Sequence, residues 1–187
     1  HKTVRRQRQM CIRDRFQGKR TLVVGSGFSA ATTVVDLADL AREVTGTSAV
    51  WLTRSNRERP IEELVDDPLT ERADLTRRAN ALAAEQGGVV EWRPASVVQS
   101  LEKNADGFSV TVEAKTNGDT RRDRLNVDEI VAQVGYRPDR SLYEELQVHE
   151  CYATQGPIKL AAALLGESSK DCLAQTCPGP ELSLIHI

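Results

Sequence analysis

The chain has 187 residues, 28% of them charged and 40% hydrophobic, with a formal net charge of −2, the composition of a soluble globular protein. No apolar run reaches the ~18 residues of a membrane span and no secretory signal is visible, so a cytoplasmic location is expected. Aromatic residues make up 4%, which argues against a base-stacking nucleic-acid surface.

In chain order, His1 to Arg15 (HKTVRRQRQMCIRDR) and, at the other end, Leu182 to Ile187 (LSLIHI) read as adaptor-like, non-native segments outside the fold. Without the first, the formal charge moves from −2 to about −7, which undercuts a nucleic-acid or membrane role for the arginines. The remainder is long enough for one ordinary domain with its own core.

Thr21 to Val24 is an apolar strand. Gly25-Ser26-Gly27-Phe28-Ser29-Ala30 follows, then a helix with Ala31, Val34, Val35, Ala38 and Ala41 on one stripe. A strand, a tight glycine turn and a helix start form the geometry that holds a dinucleotide pyrophosphate. Gly25 turns the backbone off the strand, Gly27 leaves no Cβ in the way of a phosphate, and Ala30 lets helix and strand approach. The plain alternative is a structural strand-turn-helix that binds nothing. Asp36 and Asp39 suit the polar edge of this helix.

The second strand, Ala49 to Thr53, ends in Thr53-Arg54-Ser55, with Arg57 and Arg59 beyond. An NAD site places a carboxylate here to bind the ribose hydroxyls. A carboxylate repels a 2′-phosphate and a guanidinium pairs with it, so Arg54 favours NADPH; Arg57 and Arg59 read better as a solvated loop. A helix is expected from Leu69 to Gln86, with Leu75, Ala79, Leu82 and Ala83 inward, ending at Gly87-Gly88. Val89 to Trp92 is a third strand, completing β-α-β-α-β.

Ser96 to Glu102, Phe108 to Ala114 and Arg121 to Val127 are β-rich, and Asn104 to Gly107 and Thr116 to Asp119 carry hairpin-turn residues. They predict an antiparallel meander. Glu129 to Ala132 is apolar enough to rejoin the parallel sheet, before Gly135-Tyr136-Arg137-Pro138-Asp139. A helix is expected over Ile158 to Leu165. The fold class is therefore α/β: a Rossmann-like parallel sheet with helices and an antiparallel three-stranded β-meander.

Chemistry-bearing residues are otherwise few. His149 adjoins Glu150 and Cys151, but neighbours in sequence point in different directions on a helix or strand, so the cluster reads as accidental. Cys151, Cys172 and Cys177 read as free thiols rather than a zinc site or a redox pair. No catalytic side chain and no metal site is assigned.

The glycine turn, the β-α-β-α-β unit, the meander, and Asp128-Glu129-Ile130-Val131 followed by Gly135-Tyr136-Arg137-Pro138-Asp139 together resemble the nicotinamide-nucleotide domain of two-dinucleotide-binding flavoproteins. These are the pyridine nucleotide-disulfide oxidoreductases and flavin-containing monooxygenases. Gln133-Val134 departs from the Ala-Thr pair usual in that superfamily. The resemblance implies that residues 16–140 bind NAD(P) and that 141–181 begin a return into an FAD-binding domain, which supplies most flavin contacts. It implies a fragment of an FAD-dependent oxidoreductase that passes hydride from NADPH to flavin and on to a small molecule or oxygen, with no nucleic-acid or membrane partner. Gly25, Ser26, Gly27, Phe28, Ser29 and Ala30 would border the pyrophosphate, Thr53, Arg54 and Ser55 the 2′-phosphate, and Gly135 the crossing toward the flavin. A flavin-free NADPH-dependent reductase and a non-catalytic nucleotide-sensing module are the alternatives.

Overall fold

The structure, a computed structural model, describes residues 13–116 and 119–136, with 139–143, 145, 149–151, 155, 156, 158 and 162. The chain divides into two compact units, 1–135 and 136–187.

The first unit holds β1 (Arg20–Val24), α1 (Phe28–Glu43), β2 (Ser48–Leu52), α2 (Thr70–Ala84) and β3 (Val90–Arg93). The meander follows, β4 (Ser96–Asn104), β5 (Gly107–Thr116) and β6 (Asp119–Val127), and then β7 (Glu129–Ala132). The parallel sheet runs β3-β2-β1-β7, and β4-β5-β6 form a separate antiparallel sheet, as the sequence predicts.

Successive residues of a strand point to opposite faces, and in the parallel sheet both faces are buried. Val23, Ala49 and Trp51 pack toward the helices, with Ala31, Val34, Val35 and Ala38 of α1 and Ala79 of α2. Leu22, Val50 and Leu52 pack toward the meander, against Val110, Val112, Leu125 and Val127. The sheet thus lies between a helical layer and the meander.

Three details differ from the sequence expectation. Leu37 and Leu40 of α1 are buried beside the expected stripe, because the helix packs on α2 as well as on the sheet. The second helix is shorter, Thr70–Ala84, and its buried positions include Thr76 and Asn80. Asn80 is inward because its amide accepts from Ile61 N–H (3.2 Å) and donates to Ile61 C=O (3.0 Å), satisfying a buried peptide in the 53–69 segment. The strand ends shift by one or two residues.

In the second unit Asp139 caps a short 3₁₀ helix, Arg140–Leu142, accepting from Ser141 N–H. Glu150 pairs with Arg140 at 2.8 Å. His149 is exposed, and Cys151 is half-buried. Of the helix expected over 158–165, only Ile158 and Ala162 are described; Cys172, Cys177 and residues 1–12 and 182–187 lie outside the described residues.

Candidate functional site

The registers Val24↔Leu52, Val24↔Ala132 and Leu52↔Arg93 put the carboxyl ends of all four parallel strands on one edge. Gly25, Thr53, Pro94 and Gln133 are the first residues beyond them. The sequence-predicted glycine turn, the Thr53-Arg54-Ser55 segment and the approach to Gly135 therefore share this edge.

Gly25 is fastened from both sides. Its N–H donates to the Leu52 carbonyl (3.0 Å), and its carbonyl accepts from the Trp51 indole N–H (2.7 Å). Its φ is +140°, and a Cβ would lie 2.2 Å from the Gln133 carbonyl oxygen. No other residue type fits there. Gly27 is different: φ is −96°, and a Cβ would meet nothing within 4 Å. The space in front of the helix start is open.

Gly27 is the N-cap of α1 and carries no side-chain cap; the first helical hydrogen bond runs from Ala31 N–H to the Gly27 carbonyl (3.1 Å). The amides of Phe28, Ser29 and Ala30 thus precede any intrahelical partner. No acidic residue lies in the first turn, so the positive end of the helix dipole is not offset from within the helix. Ala30 is fully buried, 3.5 Å from where a Gly25 Cβ would be, so its small side chain sets the close helix-strand approach. Ser26, Phe28 and Ser29 are exposed. The Arg72 guanidinium lies 6.0 Å from the Phe28 ring centroid.

At the end of β2, Thr53 is fully buried and its hydroxyl accepts from the Trp92 indole N–H at 3.0 Å. It does not face solvent. Arg54 does, and among the described arginines it is the one with no hydrogen-bond or ion-pair partner. Arg57 pairs with Glu62 (3.3 Å) and Arg59 with Glu63 (2.7 Å) as a solvated loop would. Glu58 stands four residues after Arg54, the spacing of a helical pair, but residues 53–69 are not helical and no such pair forms. Ser55 is half-buried and its carbonyl accepts from Ala95 N–H.

Gly135 has φ +93° with open space around it, and Val134 is exposed. Gln133, at the departure from the superfamily pattern, donates its N–H to the Val24 carbonyl (2.7 Å) and its side-chain amide to the Thr33 hydroxyl (2.9 Å). It ties β7 to both β1 and α1. Asp36 and Asp39 sit away from the edge. Burial, then the Asp39 charge, pushes the Asp36 carboxyl up, while Asp39 bridges to Arg78 of α2 at 2.8 Å. Neither the Trp51 bond to the Gly25 carbonyl nor the Trp92 bond to the Thr53 hydroxyl is legible in the sequence, because a single side-chain hydrogen bond to another element leaves no periodic signal.

A cleft of about 340 Å³ lined by Pro60, Ala83 and Trp92, and one of about 420 Å³ at the amino ends of β1 and β7, lie away from the glycine turn. Among the described residues no group of three or more His, Cys, Asp or Glu could hold a metal, and no helix is long and apolar enough to cross a membrane.

A profile of the pyridine nucleotide-disulphide oxidoreductase family matches residues 3–159. No curated protein matches the sequence. Bacillithiol disulfide reductase from Bacillus cereus superposes with a TM-score of 0.55 at 18% identity, over 76% of this chain and 36% of that one. An FAD-bound cadaverine monooxygenase from Erwinia amylovora gives 0.54 at 18% identity, over 77% and 42%. Thioredoxin reductase from T. acidophilum gives 0.52 at 15%, over 77% and 40%. At these identities the likeness is one of fold, and the chain spans about two fifths of the length of those proteins.

Proposed function

From the chain's membership of the pyridine nucleotide-disulphide oxidoreductase family, to which it belongs over residues 3–159, we propose that it is the NADPH-binding part of an FAD-dependent oxidoreductase. In the whole protein it delivers the NADPH hydride to flavin, with a small molecule or oxygen as the final acceptor. The nicotinamide and flavin supply the redox chemistry when bound, and this chain's residues bind, orient and exclude water.

The residues fit such a coenzyme. The amides of Phe28, Ser29 and Ala30 take the pyrophosphate, Gly27 leaves it room, and Ser26 borders it. Arg54 takes the 2′-phosphate, helped by the neighbouring Ser55. Gly135 is assigned to the crossing toward the flavin.

The observation that carries the reading is the exposed Arg54, without a hydrogen-bond or ion-pair partner, in the segment that shares the strand-end edge with the glycine turn: it can pair with a phosphate without giving up an existing ion pair. A carboxylate at this position would select the unphosphorylated coenzyme. Titration of the full chain, followed by the coenzyme's own fluorescence, tests it. NADPH is expected to bind more tightly than NADH, and Arg54→Met to weaken NADPH by roughly tenfold or more while leaving NADH unchanged. Equal affinity of the unsubstituted chain for both coenzymes overturns the assignment. Alone, the chain is expected to bind NADPH without oxidising it; flavin-free turnover would favour the simple reductase reading instead.

A further inference from the structure

The residues on either side of Arg54 are both fastened to the turn between β3 and β4. Thr53 N–H donates to the Arg93 carbonyl (3.1 Å), the Thr53 carbonyl accepts from Ser96 N–H (3.0 Å), and the Thr53 hydroxyl accepts from the Trp92 indole (3.0 Å). On the far side Ala95 N–H donates to the Ser55 carbonyl at 3.0 Å. Arg54 alone projects.

The supporting turn is itself held firmly. Ala95 has φ +49°, a left-handed conformation that a non-glycine residue keeps only where surrounding bonds over-determine it. Its carbonyl accepts from Lys115 N–H (3.1 Å), anchoring the turn to β5. Paired, directional bonds from a guanidinium to a phosphate need the side chain to leave the backbone in a fixed direction, and these contacts fix it.

We propose that Thr53 and Trp92 are positioning residues: their hydroxyl-indole bond, with the backbone bonds to Arg93, Ala95 and Ser96, aims Arg54 and so sets the preference for a 2′-phosphorylated coenzyme. Neither touches the phosphate. Direct contact by Thr53 would need an accessible hydroxyl, and the residue is fully buried. The inference rests on the Arg54 reading above.

Thr53→Val, Thr53→Ser and Trp92→Phe, each in the full chain, separate the possibilities when affinities for NADPH and NADH are measured alongside thermal midpoints. Thr53→Val and Trp92→Phe are each expected to lower the NADPH-to-NADH affinity ratio by about three- to tenfold with NADH affinity unchanged, the size of one lost hydrogen bond. Thr53→Ser, which keeps the hydroxyl, restores the ratio. If Thr53→Val lowers the ratio and Trp92→Phe does not, Thr53 contacts the phosphate directly and the proposal fails. It fails also if both variants keep the ratio, or if both lose the two coenzymes equally, as a general loosening would cause. An unsubstituted chain without any NADPH preference sinks the Arg54 reading itself and this inference with it, whereas an intact preference that resists both substitutions sinks this inference alone.

Discussion

Gly25 and Gly27 belong to one sequence motif, and their surroundings in the fold are opposite. At Gly25 a methyl group would run into the Gln133 carbonyl, a backbone atom that cannot swing aside, and φ is +140°. Gly25→Ala is expected to destabilise the fold by more than about 2 kcal/mol, read from the urea midpoint. At Gly27 the backbone is extended and the space is open. Gly27→Ala is expected to change stability by less than about 1 kcal/mol and, on the proposed reading, to weaken NADPH binding at least about tenfold, because the methyl would fill the space which that reading gives to the pyrophosphate. The motif identified both positions, but only the later strand β7 reveals which one is fixed by packing. The same holds for Thr53 and Arg54: adjacency grouped them, and burial separates an interior residue from a projecting one.

The elements were readable where periodicity decided them and misread where a single polar bond did. The sequence pattern carries the second helix two residues beyond its observed end, and it does not mark Asn80 as inward, because an amide inside an apolar stripe counts against the pattern. The stripe Thr76, Ala79, Asn80, Ala83 at helical spacing was the available signal. The start of α2 also carries a titratable anchor. Arg72 bonds the Asp67 carboxylate at 2.7 and 2.8 Å, and Leu69 N–H bonds it at 2.9 Å. The Arg72 bonds first, and the Leu69 amide after them, hold the Asp67 carboxyl below its ordinary range. A lowered folded-state value means that this stabilisation is present above the ordinary carboxylate range and is lost as pH falls through the folded value. Asp67→Asn is therefore expected to lower the thermal midpoint at neutral pH, with the gap to the unsubstituted chain closing in acid.

For the whole first unit, the order of strands and helices followed from apolar runs and turn residues. Which layer covers which face did not. Leu22-Val23 and Val50-Trp51-Leu52 are continuously apolar because the sheet is buried on both sides, so alternation carries no direction. The structure assigns Leu22 to the meander side, fully buried against Val110 and Leu125. Leu22→Ala is expected to cost about 2–5 kcal/mol in chemical denaturation through the cavity it leaves between the two sheets. The meander is inserted before β7, so the strand that closes the glycine turn arrives late: Gln133 lies 100 residues after its partner Thr33. During synthesis on a ribosome, the turn and its helix emerge long before the carbonyl that wedges against Gly25. On the proposed reading, the pyrophosphate site is complete only once nearly the entire first unit has been translated, so that coenzyme capture would report on finished assembly rather than on the first supersecondary motif to leave the exit tunnel.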